Sequence, residues 1–506
     1  MLLRLHDILF YSSVTRGFLV ADSGTAHPRR GLVLAACMIA TFTAAVESTI
    51  VATALPAIVA ELRGAELTSW VFSGYLLTQA VTIPIYGRLA DLHGRKRVFI
   101  AGSAIFFIGS TFCGLAPGIS SLIAFRALQG CGAGCVQPIA YTIIGDIYTP
   151  IERARIQGML SGVFGIAAIA GPTLGALLVA AGTWRFVFWI NLPIVGAAIA
   201  MVAAFLHEDT TPRRHMIDIA GAFLLIAGIG SVIVGLDRWR QIGRNAALAC
   251  LAAGIVALLA LFRYESRTPA PMLPAALWRS KVIVTGSLGA FAVGGAIMSV
   301  IAFLPGYIQA VMGGTTASAG LVLGIMVIVW TFGSIAAGWV MVHVAYRITG
   351  YAGALAIIAG ALLLTLLAPG SSIASAVLAV SVLGVGLGFC NTTWIVSVQT
   401  GVGYRERGSA TSAVMFMRFL GQALGAAAGG IVLSFGLQAV LPGVADPVGQ
   451  LLGQTLDASE RMALASAVSR VFHDVFLITA LMGVGALALT VRLPSGLNAS
   501  TSRAGG

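Results

Sequence analysis

The chain has little charge. Asp, Glu, Lys and Arg make up 9% of its 506 residues, against roughly a quarter in ordinary soluble domains. Hydrophobic residues supply 58%, and the mean hydropathy is +0.96. Apolar runs near 20 residues recur along the sequence, and in lipid such runs form helices because every backbone amide must bond within its own segment. The composition therefore excludes a soluble protein and predicts an all-α integral membrane protein.

We predict fourteen membrane spans from these runs. The first 28 residues lack the apolar core and small-residue cleavage site of a signal peptide, so they are interpreted as a tail. The predicted spans are 32–56, 70–88, 98–116, 120–145, 157–182, 186–206, 217–236, 246–262, 282–308, 318–342, 350–368, 373–398, 409–436 and 472–491.

Acidic residues are scarce relative to basic ones, which gives a net charge of +12. A nucleic-acid partner is not indicated, because most Lys and Arg fall on tails and loops that share one side of the membrane if the N-terminus is inside. The main exceptions are Arg238, Arg240 and Arg244, in one outer loop. The charge pattern predicts a multi-pass protein of the inner membrane with both termini in the cytoplasm.

Cysteine is absent from the predicted loops. All six cysteines lie within predicted spans, so a disulfide framework is not expected. Cys131 and Cys135 share a helix face, but no His or carboxylate accompanies them at ligand spacing. Neither a metal nor a cofactor is predicted.

A weak internal repeat divides the chain. An offset of 254 residues maps Glu152-Arg153 onto Glu406-Arg407, and it also maps Gly171 and Gly175 onto Gly425 and Gly429. Transporters are often built from such repeated halves. The predicted organisation is a cytoplasmic tail, a six-helix half, a linker with two extra spans, a second six-helix half and a second cytoplasmic tail. These units cover 1–31, 32–206, 207–281, 282–491 and 492–506, and the external segment 437–471 is expected to contain an amphipathic surface helix.

Glu47 is the only acid placed deep inside a predicted span. A carboxylate there costs about 3 kcal/mol or more, so such residues usually face a wet cavity and have a partner. Arg126 lies at a similar depth, roughly 10–13 Å below the outer surface at about 1.5 Å per residue. We predict that the two meet and couple protons to transport. The alternatives are a structural acid bonded to a neighbouring helix and an arginine that extends outward to the interface.

Three further segments contain candidate residues. In "GRLADLHGRKR" (87–97), Gly87 and Gly94 allow tight turns, Asp91 can approach a helix N-terminus and Arg95 holds the loop at the cytoplasmic face. The second segment is a glycine helix with Pro172, in which small residues allow close helix packing and proline bends the span. Its glycines are Gly162, Gly165, Gly171 and Gly175.

The third segment, "NTTWIVSVQT", places Asn391 and Trp394 in a late span. These residues either line a cavity or bond between helices, and the pattern does not separate the two interpretations. Arg418, the second arginine inside a span, is assigned with them to a substrate cavity.

Together these segments resemble the major facilitator superfamily, and most closely its fourteen-span drug:proton antiporter family, over the full length of the chain. The loop 87–97 is similar to the superfamily's loop 2–3 signature, and "RALQGCGAG" to the span-four motif implicated in proton transfer. "GIAAIAGPTLGALL" resembles the antiporter motif, and "VESTIVATALPAI" the span-one motif.

The resemblance implies a fold and several residue roles. The fold is the major facilitator fold with two inserted helices. Asp91 and Arg95, with Asp146 nearby, would stabilise an outward-open state. Glu47 stands where the family commonly has Asp, Ala52 where it has Asn, and Val342 at the acid position of the second loop signature.

The predicted function is secondary active transport rather than enzymatic catalysis. We expect a proton-coupled exporter of hydrophobic or cationic amphipathic compounds that works as a monomer by alternating access. Its partners are these small molecules, protons and the lipid bilayer. The alternatives are export of an endogenous lipid or metabolite and, less favoured, a polytopic membrane enzyme, for which the short outer loops show no cluster of acids or His.

Overall fold

The computed structural model describes residues 29–62, 67–208, 218–237, 243–268, 277–442, 444, 447–452 and 457–493. These residues form α-helices, two 3₁₀ turns and connecting loops, and none of them is in a β-strand. The predicted tails, except 29–31 and 492–493, and the linker segments 209–217, 238–242 and 269–276 lie outside the described residues.

In the described ranges, nine α-helices precede the second helical half. They are α1 (Arg30–Leu62), α2 (Thr68–His93), α3 (Arg95–Gly114), α4 (Ile119–Ile147), α5 (Pro150–Ala180), α6 (Phe186–Trp189), α7 (Asn191–Phe205), α8 (Ile219–Asp237) and α9 (Arg244–Glu265).

A 3₁₀ turn at Leu277–Arg279 leads into the remaining helices. They are α10 (Lys281–Ala310), α11 (Thr316–His343), α12 (Tyr346–Thr365), α13 (Ile373–Thr400), α14 (Arg407–Val440), α15 (Pro447–Leu452) and α16 (Ala458–Thr490). The second 3₁₀ turn, Tyr404–Glu406, joins α13 to α14.

Eleven helices in the described part of the chain are long and apolar enough to cross a membrane. The other three segments predicted as spans are also helical, in α2, α5 and α8, but these helices are not among the eleven. An all-α membrane protein is therefore confirmed, whereas the count of fourteen stays a prediction.

Both ends of the segment 437–471 belong to long helices. Helix α14 continues to Val440, and α16 begins at Ala458, where Asp457 and Glu460 form a capping box. The residues expected to form a separate amphipathic helix are therefore the first turns of the last long helix. The hydropathy pattern missed this because the helix extends beyond its apolar part.

The long helices pack into two groups. In the first, α1 packs on α4, α5 and α7, while α2 and α3 pack on α4. In the second, α10 packs on α13, α14 and α16, and α13 also packs on α11 and α12. Contacts between the groups are made mainly by α5 with α11 and by α2 with α14. Helices α8 and α9, which correspond to the two predicted extra spans, pack on each other, and α8 lies against α2.

The glycines of the sequence repeat occupy equivalent contacts in the two groups. A Cβ on Gly171 or Gly175 of α5 would lie 1.9 Å from the Oγ1 of Thr49 or Thr53 in α1. On Gly425 of α14 it would lie 2.6 Å from the backbone of Gly295 in α10. Each glycine helix therefore packs closely on the first long helix of its own group.

Candidate functional site

Glu47 and Arg126 lie in contact inside the first helix group. An Nη1 hydrogen of Arg126, on α4, is donated to the Oε1 of Glu47, on α1, and both side chains are 0% exposed. The pair is thus removed from water, and breaking such a pair by removing one partner costs about 3–5 kcal/mol. Similar depth along two adjacent helices was enough to predict this contact.

Other polar side chains complete the shell of this ion pair. Asn191, at the start of α7, donates its amide to the Oε2 of Glu47. The Nη1 of Arg126 also donates to the Oε1 of Gln129 at 2.7 Å, and Gln129 donates to the Oγ of Ser110 at 2.6 Å. Four helices, α1, α3, α4 and α7, therefore supply one buried hydrogen-bond network.

The guanidinium of Arg126 is held in two further ways. Its Nε donates to the carbonyl of Val71 at 3.0 Å, and its Cζ lies 4.1 Å from the ring centroid of Tyr75, a cation–π distance. Its Nη2 and the hydroxyl of Tyr75 have no hydrogen-bond partner. The network thus has unused polar atoms beside the ion pair.

One part of the prediction for Glu47 is wrong for this conformation. The acid was expected to face a wet cavity, but both of its oxygens are bonded to protein groups and its side chain has no exposed surface. Burial is decided by how α1, α4 and α7 meet, which the hydropathy of α1 alone does not show.

The second candidate region joins the two helix groups at the end of the bundle that carries the turns at 94, 148–149 and 401–406, here called the gate end. Asp91, in the last turn of α2, accepts from the backbone N–H groups of Gly408 and Ser409 at 3.0 and 2.7 Å. It also accepts from the Oγ of Ser409 at 2.6 Å. These N–H groups are in the first turn of α14, whose own N-cap, Glu406, makes no side-chain cap bond.

Asp91 therefore caps a helix of the other group. Unpaired N–H groups in a first helical turn attract an acceptor, and the positive end of the helix dipole favours a negative charge. The equivalent helix in the first group, α5, is capped by its own Thr149 and Glu152. The N-terminus of α5 is therefore capped by its own group, whereas that of α14 is capped by the other group.

Arg95 and Arg407 meet at one carboxylate between the groups. The Nε of Arg95 donates to the Oδ2 of Asp146 at 2.8 Å, and the Nη1 of Arg407 donates to its Oδ1 at 2.5 Å. Arg95 also donates to the carbonyl of Tyr404 and lies 3.2 Å from Asp91. Three charged residues of the first group are therefore tied to the chain of the second.

The gate end also contains a reciprocal pair of contacts. Arg407 donates to the carbonyl of Gly145 at 2.8 Å, and Arg153 donates to the carbonyl of Gln399 at 3.4 Å. Both donors and both acceptors are related by the offset of 254 residues. The repeat is thus expressed as two matching bonds across the interface, although the second is long.

Tyr404 and Glu208 close the outer edge of the gate end. Glu208 accepts from the backbone N–H groups of Arg95 and Lys96 at 2.8 and 2.9 Å, and so caps α3. The hydroxyl of Tyr404 donates to Glu208 at 3.3 Å. Burial raises the pKa of Tyr404 to about 12, so this phenol remains a neutral donor near pH 7.

The two glycines of the loop signature serve different purposes. Gly94 forms the junction between α2 and α3 with a φ of +92°, which favours glycine. Gly87 was predicted at a turn, but it lies within α2. A Cβ there would be 2.3 Å from the Oγ of Ser412, so Gly87 is needed for close approach of α2 to α14.

The glycine-rich segment of α5 contacts both groups. A Cβ on Gly165 would lie 3.3 Å from the Oγ1 of Thr331 in α11, an ordinary to tight contact, while Gly171 and Gly175 face α1. The backbone of α5 is helical from Pro150 to Ala180. The side chain of Pro172 lies outside the described residues, so the predicted bend stays a prediction.

The three residues assigned to a substrate cavity do not come together. Arg418 of α14 donates to the Oδ1 of Asn391 in α13 at 3.3 Å and to the Oε1 of Gln137 in α4 at 3.2 Å. Trp394 is fully buried and packs against Gly289 of α10, within its own group. The structure therefore supports a shared location for Arg418 and Asn391 but not for Trp394.

The bonds between the groups that are named above lie at the gate end or near mid-depth of the described chain. Those nearest mid-depth join Arg418 to Gln137 and Ser161 to Ser334, the latter at 3.0 Å. The groups are thus held together at one end. If the gate end faces the cytoplasm, as the basic loops predict, this is an outward-facing conformation.

Several residues at these sites were not singled out from the sequence. Asn191 and Gln129 are ordinary polar residues near the ends of motifs, and only the fold brings them to Glu47. Gln137 gave no signal beyond being polar within a span. Arg407 did have a sequence signal, because it belongs to the repeated Glu-Arg pair.

The sequence model of one protein family, the Major Facilitator Superfamily, matches residues 37–426 of this chain. Two relatives come from Bacillus subtilis (strain 168). The chain is 31% identical to "Multidrug transporter protein MdtP" over 415 residues, which cover 80% of this chain and 76% of that protein. It is 33% identical to "Multidrug resistance protein 3" over 387 residues, which cover 75% of each.

The structure is also similar to a solved one, the proton:xylose symporter XylE. The TM-score is 0.61 at 13% sequence identity, and the match covers 90% of this chain and 94% of that one. At this identity the likeness shows the fold alone.

Proposed function

This chain belongs to the major facilitator superfamily, and on that basis we propose that it is a proton-coupled exporter of hydrophobic compounds that works by alternating access. Two relatives named for multidrug transport or resistance support efflux as the direction of transport. The proposal includes fourteen spans, a monomer, an inner-membrane location and cytoplasmic termini.

The observation that carries proton coupling is the buried pair of Glu47 and Arg126. Glu47 is the only described carboxylate deep within the bundle, and it is bonded to a guanidinium with no water between them. A proton that binds Glu47 removes its charge and releases Arg126 from the pair. Proton binding and a rearrangement of α1 against α4 are thus linked, and linkage of this kind couples two fluxes.

Asp91, Arg95 and Asp146 are proposed to stabilise the outward-facing state. Their bonds to α14 and to the 401–406 turn must break before the gate end can open. Part of this energy is recovered from substrate and proton binding during turnover.

The substrate prediction needs one change. Cationic amphipathic compounds were expected because a carboxylate in the cavity would attract them. Since Arg126 and Asn191 occupy both oxygens of Glu47, a cation gains access to this acid only after Arg126 moves. Hydrophobic compounds do not need that step.

The test uses purified full-length protein in lipid vesicles with an imposed pH gradient. Wild type is expected to accumulate hydrophobic dyes against their gradient. Glu47→Gln keeps the shape of the side chain but binds no coupling proton, so pH-driven accumulation should be lost.

The matched control is Glu460→Gln, which makes the same chemical change at an exposed helix cap. This variant should transport like wild type. Full pH-driven accumulation by Glu47→Gln would show that this carboxylate does not couple the proton.

A further inference from the structure

Arg418 is a buried cation near the middle of the membrane and between the two helix groups. It lies eleven residues after Arg407, where α14 begins, so it is about 16 Å from the gate end at 1.5 Å per residue. The hydrocarbon core is about 30 Å thick, which places the guanidinium near mid-depth. Only 6% of the residue is exposed.

The partners of this guanidinium are neutral. Its two Nη atoms donate to the amide oxygens of Asn391 and Gln137, and its Nε has no hydrogen-bond partner. The titratable side chain that acts on it electrostatically is Tyr141, a phenol. No described carboxylate forms a salt bridge with Arg418.

Arg126 is the comparison, because it is a buried arginine that has a counter-ion. There a carboxylate, Glu47, neutralises the charge within the same helix group. A buried ion without a counter-ion is costly, and such ions are found almost only where a partner or a water-filled pathway compensates them. Arg418 therefore lacks a compensating anion among the described residues.

The side chains of this cluster come from both helix groups. Gln137 and Asn391 are each 4% exposed, so like Arg418 they are buried but keep a small accessible surface. Gln137 belongs to the first group and the other two to the second. The cluster thus lies where alternating access requires a substrate to bind.

We propose that Arg418, with Gln137 and Asn391, binds the carboxylate of an amphipathic organic anion that the protein exports. The proposal rests on the function proposed above and narrows its substrate class. The planar guanidinium with a free Nε matches a carboxylate, which accepts two parallel N–H bonds. The side-chain amides can donate their NH₂ groups to the same anion. The apolar part of the ligand lies against the hydrophobic walls of the bundle.

The experiment compares two fluorescent probes with the same ring system, 1-pyrenebutyrate and its neutral analogue 1-pyrenebutanol. Equilibrium binding of both is measured with the purified full-length protein in chloride-free buffer. Wild type is expected to bind the carboxylate about tenfold or more tightly than the alcohol, which is the effect of one charge-assisted contact.

Two variants test the assignment by opposite means. Arg418→Gln removes the cation, and Asn391→Asp places a carboxylate beside it, at a position now 3.3 Å from the Nη1. In both variants the ratio of the two affinities should fall to near one. The control, Arg347→Gln, removes an arginine that bonds to Leu493 within its own helix group, and it should keep the wild-type ratio. A ratio within one preparation does not depend on how much protein has folded.

The results separate this inference from the proposed function. No preference for the carboxylate in wild type, or a preference that survives both variants, would overturn the anion site. The organic-anion site would also be overturned if chloride stabilises the protein through Arg418 while 1-pyrenebutyrate does not bind. In that case an inorganic ion occupies the site. If the preference is present but neither probe is moved by a pH gradient in vesicles, the anion site stands and proton-coupled export fails.

Discussion

At the scale of single residues, two buried arginines set the chemistry of this protein. Arg126 is neutralised by Glu47 inside one helix group, whereas Arg418 bonds to amide oxygens between the groups, interacts with the phenol of Tyr141 and has no salt bridge to a described carboxylate. In the first arrangement the positive charge is compensated within the fold. In the second, no described carboxylate compensates it. The same residue type therefore has two roles, decided by whether a carboxylate shares its packing environment.

Gly87 gives a residue-scale prediction about the gate end. Alanine is normally better than glycine within a helix by about 0.5–1 kcal/mol. Here the added Cβ would lie 2.3 Å from the Oγ of Ser412 and 2.9 Å from the carbonyl of Gly408. Gly87→Ala should therefore separate α2 from α14 and favour the open gate end. Distances between spin labels at Arg97→Cys and Gly403→Cys, both exposed positions, should lengthen.

The control for this prediction is a compensating change. Ser412→Gly removes the atoms nearest the new methyl group, and the Ser412 hydroxyl has no hydrogen-bond partner to lose. The double variant should recover much of the wild-type distance distribution. If Gly87→Ala alone leaves the distribution unchanged, close approach at this glycine does not hold the gate end closed.

At the scale of helices, the N-terminus of α14 is the element that responds to the state of the interface. Its cap comes from Asp91 on the other helix group, so its first turn is satisfied only while the gate end is closed. Helix α5 has its own cap from Thr149 and keeps it in any arrangement. Opening therefore costs α14 its cap, whereas α5 keeps its own.

Asp91→Asn tests this difference. The variant keeps an acceptor but loses the charge that interacts with the helix N-terminus, which is worth about 1 kcal/mol and up to 2 in buried sites. The population with an open gate end should rise about fivefold or more, measured with the same pair of spin labels.

Glu406→Gln is the matched control at the same helix end. Glu406 occupies the N-cap position but its side chain makes no cap bond, so this change should shift the distribution much less. Equal shifts for the two variants would mean that general charge, rather than the trans cap, stabilises the closed state.

At the scale of the whole molecule, the two helix groups are joined at one end by bonds that the repeat partly duplicates. Arg407 of the second group donates to the carbonyl of Gly145 in the first, and Arg153 of the first group donates to the carbonyl of Gln399 in the second. Asp91 breaks the symmetry, because Val342 stands at the acid position of the second loop signature near the end of α11. The interface therefore combines bonds related by the repeat with charged contacts that have no equivalent.

Charge movement across the membrane is the whole-molecule prediction. If Glu47 is the only coupling acid, one proton enters for each substrate that leaves. Export of a monovalent cation then moves no net charge, a neutral compound moves one charge inward and a monovalent carboxylate moves two. Each charge gains about 2.3 kcal/mol from a potential of 100 mV. A pH difference contributes about 1.36 kcal/mol per unit.

Vesicles with a potassium diffusion potential and no pH difference separate these cases. The potential alone should drive 1-pyrenebutyrate most strongly, 1-pyrenebutanol less and a lipophilic cation not at all. Undiminished export of the cation without a pH difference would contradict single-proton exchange through Glu47.

The sequence by itself determined the class of protein and much of the chemistry. Hydropathy requires helices in lipid, so the all-α fold followed from composition and run length. The depths of Glu47 and Arg126 along their helices predicted their contact, and the order of glycines and charges at 87–97 singled out a segment that contacts the other helix group. These features are local, and a local pattern can be read without knowing which helices are neighbours.

Only the tertiary structure decided what each of these residues faces. The closure of Glu47 by Asn191, the burial of Trp394 in its own helix group and the capping of α14 by Asp91 all depend on which helices meet and at what height. The absence of a described counter-ion for Arg418 has the same origin. Burial and charge compensation depend on which residues pack together. Residues in contact here can lie more than three hundred positions apart in the chain, as Asp91 and Ser409 do.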